Sequence, residues 1–149
     1  MDIAVNMEIS IIMDDNLATE TLNSYIRGYH AYMGIWLPLV GEELECEYEC
    51  GNDHDVNAIA VLRDNMINRR VVGHVPLIYS EVFRKFLSLP GHKVRCRVTG
   101  KHVNRGLGLG LEIPAENIFM GNVKAIRWLF SKIEKMEKEL DNRVNKCME

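Results

Sequence analysis

The sequence predicts a mainly β fold that carries one short helix and one long C-terminal helix. Apolar and polar residues alternate with a period of two in several short segments, as in strands that bury one face. Clusters of Asn, Asp, Gly and Pro separate these segments and are typical of turns. The last part of the chain instead repeats apolar residues at helical spacing.

Composition indicates a single globular domain. The chain has 149 residues, of which 47% are hydrophobic and 26% are charged, as in ordinary soluble proteins. The formal net charge of −3 excludes a bulk basic field for nucleic acid. Apolar runs are too short for a membrane helix, and the first residues do not resemble a signal peptide. We therefore expect an intracellular protein.

The first part of the chain predicts two strands with a short helix between them. Residues 3–13 alternate cleanly, which predicts a strand that pairs with the domain's own sheet or with a neighbouring chain. Polar residues then end this strand and would cap a short helix over 14–22. Residues 25–33, with three tyrosines, predict the first strand of the main sheet. We assign residues 1–25 to an N-terminal strand and short helix.

The central part predicts five more strands and one helix. Alternating segments predict strands near 43–50 and 92–99, and two short apolar segments, the second ending at a glycine, predict strands near 57–63 and 69–75. An apolar stripe predicts a helix over 78–87, and Pro90-Gly91 would end it. The alternating glycines and leucines over 106–111 predict the last strand. No helix follows this run, so it is not interpreted as a phosphate-binding loop.

The four cysteines allow two interpretations. Cys46 and Cys96 occupy the apolar faces of predicted strands, where free cysteines behave as small apolar side chains. The alternative is a zinc site built from Cys46, Cys50 and His54, with His74 as a fourth ligand. That spacing lacks the short Cys-x-x-Cys pairs of most structural zinc sites. We therefore favour core cysteines and expect no cofactor.

Charge is segregated in the middle of the chain. Residues 42–64 contain eight acids and one base, whereas residues 84–105 contain seven bases and no acid. The basic region could follow a phosphate backbone. Alternatively, the glutamates of the second strand pair across the sheet with the arginines of the fifth strand. Strand order decides between these interpretations, so both remain open at this stage.

A polar turn between two predicted strands is the most distinctive motif. The turn and the strand after it read Asn52-Asp53-His54-Asp55-Val56-Asn57-Ala58-Ile59. Asn and Asp side chains form hydrogen bonds with their own backbone in turns. We therefore expect a tight turn that places His54 and Asp55 next to each other just before a strand. The next strand ends in Val72-Gly73-His74-Val75-Pro76, ahead of the helix. The pattern Asn-x-x-Asp-x-Asn-Ala-Ile, followed by Val-Gly-His-Val-Pro and a helix, resembles the HIRAN domain.

The resemblance covers residues 26–121 and implies both a fold and a ligand. HIRAN domains are small β-barrels of OB-like shape, so we expect a closed or nearly closed six-stranded barrel. DNA-binding members hold the 3′ end of a single strand, stack aromatic residues on its terminal bases and bond its 3′ hydroxyl with an acid. By position, Asp55 matches that acid and His54 stands where a tyrosine is usual. Tyr32 matches an aromatic residue of the first strand, and His74 matches the histidine after the glycine.

The sequence also departs from the DNA-binding members of the family. His30 and Ala31 stand where those members have Arg and Tyr, and Leu77 replaces a basic residue. One stacking face and two phosphate contacts are therefore absent, which predicts weak binding of single-stranded DNA 3′ ends in a pocket at the barrel mouth. The predicted nucleic-acid-binding residues are Asp55, His54, Tyr32, His74, Tyr29, His30 and Asn52.

The C-terminal part, residues 122–149, predicts one helix with a heptad pattern. Ile126, Ile133, Leu140 and Cys147 recur every seven residues. We expect the first turns to dock on the barrel and the later turns to form a short coiled coil with another copy of the chain. The protein would then be a homo-oligomer.

Three classes of function follow from these observations. The first is the DNA-end-binding module, which would place the protein in the nucleus. The second is a protein-interaction or scaffolding barrel that dimerises through its last helix, has lost DNA binding and resides in the cytoplasm. The third is an enzyme that uses His54, Asp55 and His74 as acid and base. A nucleophile, metal-ligand spacing and a phosphate loop are all lacking, so we set the enzyme aside.

Overall fold

A computed structural model describes residues 16–64 and 69–148 of the chain. Strands β1 to β6 span Leu17–Ile26, Glu43–Tyr48, Ile59–Asp64, Arg69–His74, Lys93–Val98 and Ile113–Asn122. Helices α1, α2 and α3 span Tyr29–Tyr32, Ser80–Leu87 and Val123–Met148, and a 3-10 turn at Leu77–Tyr79 leads into α2. No helix within the described ranges is long and apolar enough to cross a membrane.

The six strands form one antiparallel sheet in the order β1-β6-β5-β2-β3-β4. The β1–β6 pair is the longest and runs from Leu17 opposite Asn122 to Ile26 opposite Ile113. The two edge strands, β1 and β4, do not form a ladder, so the sheet is not closed. The predicted six-stranded fold with a short helix and a C-terminal helix is confirmed.

The edges of the sheet meet at one point, which we call the seam. The Arg27 N–H donates to the His74 carbonyl at 2.9 Å, and the His74 N–H donates to the Arg27 carbonyl at 3.0 Å. Gly73 permits this contact because a Cβ there would lie 2.3 Å from Ile26 Cγ2 and 2.8 Å from the Arg27 carbonyl oxygen. Only glycine allows the backbones to approach so closely.

The core lies between the sheet and helices α2 and α3. Phe119 of β6 is its centre, with edge-to-face contacts to Phe83, Phe86 and Phe130 at centroid distances of 5.0, 5.7 and 5.6 Å. Such T-shaped pairs are a preferred geometry of buried aromatic rings. The first turns of α3 are buried through Ile126, Leu129 and Ile133, so the expectation that they dock on the domain is confirmed.

Two predictions for the first part of the chain are wrong. Residues 17–22 belong to β1 and not to a short helix, and the strand predicted over 25–33 ends at Ile26. Gly28 then adopts a left-handed φ of +84°, after which the chain forms α1. The sheet therefore includes residues 17–25, ahead of the predicted start of the barrel. The strand predicted over residues 3–13 lies outside the described residues.

The strand predicted over 106–111 is also wrong. Gly106, Gly108 and Gly110 have φ values of +74°, +74° and +71°, which are left-handed and incompatible with an extended strand. The segment is a series of turns, and the last strand is β6, which follows it. The remaining predicted strands and the helix over 78–87 are confirmed with small shifts of their ends.

Candidate nucleic-acid interface

An open cleft of about 230 Å³ lies beside the seam. The turn before β3 forms one wall, and the ends of β1 and β4 with the start of the 3-10 turn form the other. The cleft is lined by Arg27, Asn52, His54, Asp55, Ala58, His74, Val75 and Leu77. Four of the predicted site residues, Asn52, His54, Asp55 and His74, are therefore brought together.

Hydrogen bonds within the turn fix the position of Asp55. Asn52 Oδ1 accepts from the His54 N–H at 2.8 Å and from the Asp55 N–H at 3.0 Å. Asp55 Oδ1 in turn accepts from the Asn57 N–H at 2.9 Å. These are side-chain-to-backbone turns, the local structure that Asn and Asp favour. They occupy one oxygen of the Asp55 carboxylate, and within the described part of the chain no donor bonds Oδ2.

Glu49 connects the turn to β4, and sequence analysis did not identify it. Asn52 Nδ2 donates to Glu49 Oε1 at 2.7 Å, and His74 Nε2 lies 3.2 and 3.3 Å from the two Glu49 oxygens. Burial favours a higher pKa for Glu49, but the hydrogen bonds from Asn52 and His74 outweigh it, and the pKa is lowered. Glu49 is therefore an anion that orients the His74 ring at the cleft.

Arg27 is the second residue that sequence analysis missed, and it places a cation in the cleft wall. Its Nε lies 3.3 Å from Oε2 of Glu112, a fully buried carboxylate. Arg105 forks onto the same carboxylate, with Nε 2.8 Å from Oε1 and Nη2 3.0 Å from Oε2, and covers the Tyr25 ring at 3.9 Å. The hydrogen bond to Glu112 raises the pKa of Arg105 further above its usual range. One buried anion thus holds two arginines.

The other predicted residues do not line the cleft. Tyr29 is buried, edge-on to Trp36 at 5.9 Å and stacked on His102 at 5.8 Å, so it offers no face to a base. His30 packs on the turn at Gly110, where a Cβ would lie 3.2 Å from His30 Nδ1. Tyr32 is half-buried, and burial together with the charge of Glu49 raises its pKa.

Comparison with solved structures identifies the fold of this chain. No protein-family model matches the chain, and no curated protein sequence matches it. The crystal structure of the HIRAN domain of human HLTF superposes with a TM-score of 0.61 at 16% identity, covering 83% of this chain and 94% of that chain. The NMR structure of the HLTF HIRAN domain gives 0.60 at 16% identity, with 89% and 96% covered. Its DNA-bound conformation gives 0.55 at 19% identity, with 84% and 93% covered.

This chain has the HIRAN fold. The resemblance inferred from the turn motif is confirmed at the level of the fold, and the matched region is nearly the whole length of the solved domains. In this HIRAN fold the motif forms one wall of the cleft, which Asp55 and His54 line.

In this HIRAN fold the arginines of β5 form cross-strand ion pairs. The register sets Glu45 opposite Arg95 and Glu43 opposite Arg97. Arg95 lies 3.6 Å from a Glu43 oxygen and 3.8 Å from a Glu45 oxygen, and Arg97 pairs closely with Glu116 of β6. The structure therefore supports cross-strand pairing, and the phosphate-track interpretation of this region is not supported.

The cysteines of the HIRAN fold are distributed between core and surface. Cys46 and Cys96 are buried in adjacent strands, whereas Cys50 is exposed. A hydrogen bond with Cys96, together with burial, raises the pKa of the Cys46 thiol well above its usual range. Across residues 16–64 and 69–148, no three His, Cys, Asp or Glu side chains converge as metal ligands.

Proposed function

We propose that this chain is a non-catalytic module that binds single-stranded DNA weakly and holds the 3′ end of the strand in the cleft. The observation that carries the proposal is the convergence of Asp55, His54, His74 and Arg27 on one open cleft. The HIRAN domain of HLTF, which shares this fold, has a DNA-bound conformation. If the chain binds DNA, we expect it to be located in the nucleus. Imaging of the chain fused to a fluorescent protein tests this.

Each lining residue has a chemical role in this proposal. The unbonded oxygen of Asp55 accepts a hydrogen bond from the 3′ hydroxyl. The exposed ring of His54 stacks on the terminal base, and Arg27 neutralises the nearest phosphate. Tyr29 is buried and cannot stack. Stacking contributes about 1–3 kcal/mol per base, so the loss of one aromatic face lowers affinity by about one to two decades.

The test is fluorescence anisotropy with oligonucleotides that end in a 3′ hydroxyl or a 3′ phosphate. We expect preference for the hydroxyl, because the Asp55 carboxylate repels an added phosphate. Asp55→Asn should narrow the preference without unfolding the domain. Asp53→Asn is the matched control, because Asp53 is an exposed acid of the same turn that does not line the cleft. Equal binding of both ends, or equal effects of the two substitutions, would refute end recognition.

The alternative is a scaffolding barrel that dimerises through α3. Leu140 and Val144 of α3 are 47% and 51% exposed, and Leu140 shares a shallow groove with Ile78 and Met136. Exposed apolar side chains along one helix edge are typical of an interface. Ile133 is buried within the domain, so the self-associating surface begins after it.

The molecular mass measured by light scattering tests this alternative and also the predicted homo-oligomer, because both require the chain to self-associate. A dimer that becomes monomeric in the double variant Leu140→Lys and Val144→Lys supports association through α3. Lys135→Glu is a surface control on the opposite face of the helix, and it should leave the dimer intact. A monomeric wild-type protein removes the homo-oligomer from the proposal.

A further inference from the structure

Helix α3 carries a straight row of polar and basic side chains on one face, which we call the basic row. The row consists of Lys124, Arg127, Ser131, Lys135, Lys138, Asn142 and Lys146, all of them exposed. Successive members are three or four residues apart, so their side chains follow one another along a single face of the helix. Five members are basic, and Glu134 and Glu139 flank the middle of the row.

The basic row lies on the side of α3 away from the sheet. Ala125, Ile126, Leu129 and Ile133 define the opposite side and are buried in the core. The row therefore faces solvent and is a different surface from the cleft, whose lining includes no residue of α3.

The cations of the row are largely without carboxylate partners. Among residues 16–64 and 69–148, no carboxylate forms an ion pair with Lys124, Arg127, Lys135 or Lys146. Lys138 pairs with Glu134 at 3.0 Å, but both side chains are more than two-thirds exposed and such pairs are weak. The arginines of β5, by contrast, are paired within the sheet. The row therefore offers positive charge to a partner.

We propose that the basic row binds the phosphate backbone of double-stranded DNA. From Lys124 to Lys146 the helix rises about 33 Å, close to the roughly 34 Å of one duplex turn. A duplex presents a dense lattice of negative charge that a rigid row of lysines and arginines complements. The choice of DNA over an acidic protein rests on the proposed function, since the cleft would hold a strand end on the same molecule.

The strength of the interaction follows from the number of cations. Five phosphate contacts predict a slope of about −4.5 for the logarithm of affinity against the logarithm of salt concentration. Affinity should then fall about 500-fold between about 50 and 200 mM salt. If three contacts are removed, the slope should become about −1.8 and the fall about tenfold.

The experiment is anisotropy over this salt range, with a blunt duplex of about 20 base pairs, roughly two turns. Both of its 3′ ends carry phosphate, which removes the hydroxyl that the cleft is proposed to bind. The test variant combines Lys124→Gln, Arg127→Gln and Lys135→Gln on the full chain. The control combines Lys85→Gln, Lys93→Gln and Lys101→Gln, which are exposed, remove the same charge and lie outside α3.

The expected result is a flattened salt slope for the test variant and a nearly unchanged slope for the control. Equal slopes for both variants, or no binding of the duplex by the wild type, would overturn the proposal. Binding of phosphatidylserine vesicles with the same dependence on the row would overturn the assignment to DNA. Asp55→Asn separates this proposal from the cleft, because it should alter 3′-end preference on single strands and leave the duplex slope unchanged.

Discussion

Gly73→Ala tests whether the seam between β1 and β4 depends on backbone contact. The added Cβ would lie 2.3 Å from Ile26 Cγ2 and 2.8 Å from the Arg27 carbonyl oxygen. Carbon atoms in contact are normally about 3.5–4.0 Å apart, so Ile26 or the backbone of β1 must move by more than about 1 Å. Ile26 is fully buried in the core, so its side chain cannot turn away into solvent. The seam must therefore open.

The expected cost combines overpacking and lost hydrogen bonds. Overpacking of a buried site costs about 1–3 kcal/mol, and the two Arg27–His74 hydrogen bonds contribute about 1 kcal/mol each. The total of about 3–5 kcal/mol corresponds to a fall in Tm of roughly 10 °C for a domain of this size. Thermal and urea unfolding, followed by circular dichroism, measure both quantities.

Gly34→Ala is the matched control for this substitution. A Cβ at Gly34 meets nothing within 4 Å, and its φ is not left-handed. Its stability should remain within about 1 kcal/mol of the wild type. If Gly73→Ala is as stable as Gly34→Ala, the close approach does not hold the seam together and the reasoning fails.

Three further predictions follow. Leu77→Lys restores a cation beside the cleft and should steepen the single-strand salt slope by about 0.7, whereas Leu77→Gln should not. Glu112→Gln leaves Arg27 and Arg105 without their buried anion and should lower the free energy of unfolding by about 3 kcal/mol in urea titrations; an unchanged value would show that the arginines are satisfied by solvent. His92 accepts the Asn122 N–H at Nε2, and burial lowers its pKa. The stabilisation from neutral His92 is therefore present above about pH 6.5 and is lost as the pH falls through the lowered pKa. His92→Leu should remove this loss of stability at low pH. Denaturation curves at pH 7.5 and 5.5 measure it.

Local sequence patterns predicted most of the sheet. They failed where the same residues are compatible with a helix or with turns as well as with a strand. Strands β2 to β5 were predictable because β2 and β5 alternate, β3 and β4 contain short apolar runs, and turn residues separate them. Tyr25, Tyr29 and Tyr32 were all interpreted as strand residues. Tyr25 does belong to β1, but the spacing of three between Tyr29 and Tyr32 also suits the helix that follows Gly28. The alternating glycines over 106–111 imitate a strand, but without a Cβ the backbone adopted left-handed turns.

The residues of the site were predictable where their contacts lie within one segment of the chain. They were missed where their contacts join distant parts of the fold. Asn52, His54 and Asp55 were predictable because their hydrogen bonds are local to one turn. Arg27 and Glu49 directly follow the ends of β1 and β2, and strand pairing and the seam bring them to the site. Glu49 is one of several alternating glutamates, and nothing in its neighbourhood marks it from the others.

The contact between the edge strands at the seam should open more easily than any ladder of the sheet, because a single bridge forms it. β1 is paired with β6 over ten register pairs, whereas within residues 16–64 and 69–148 the Arg27–His74 bridge is the one backbone pairing between the β1 and β4 edges. Brief local opening of this bridge separates Arg27 from His74, which lie next to each other in one wall of the cleft. A ligand that contacts both residues would hold the bridge closed. Slower amide hydrogen exchange at residues 27 and 74 would then report occupancy of the cleft more directly than a shift in Tm.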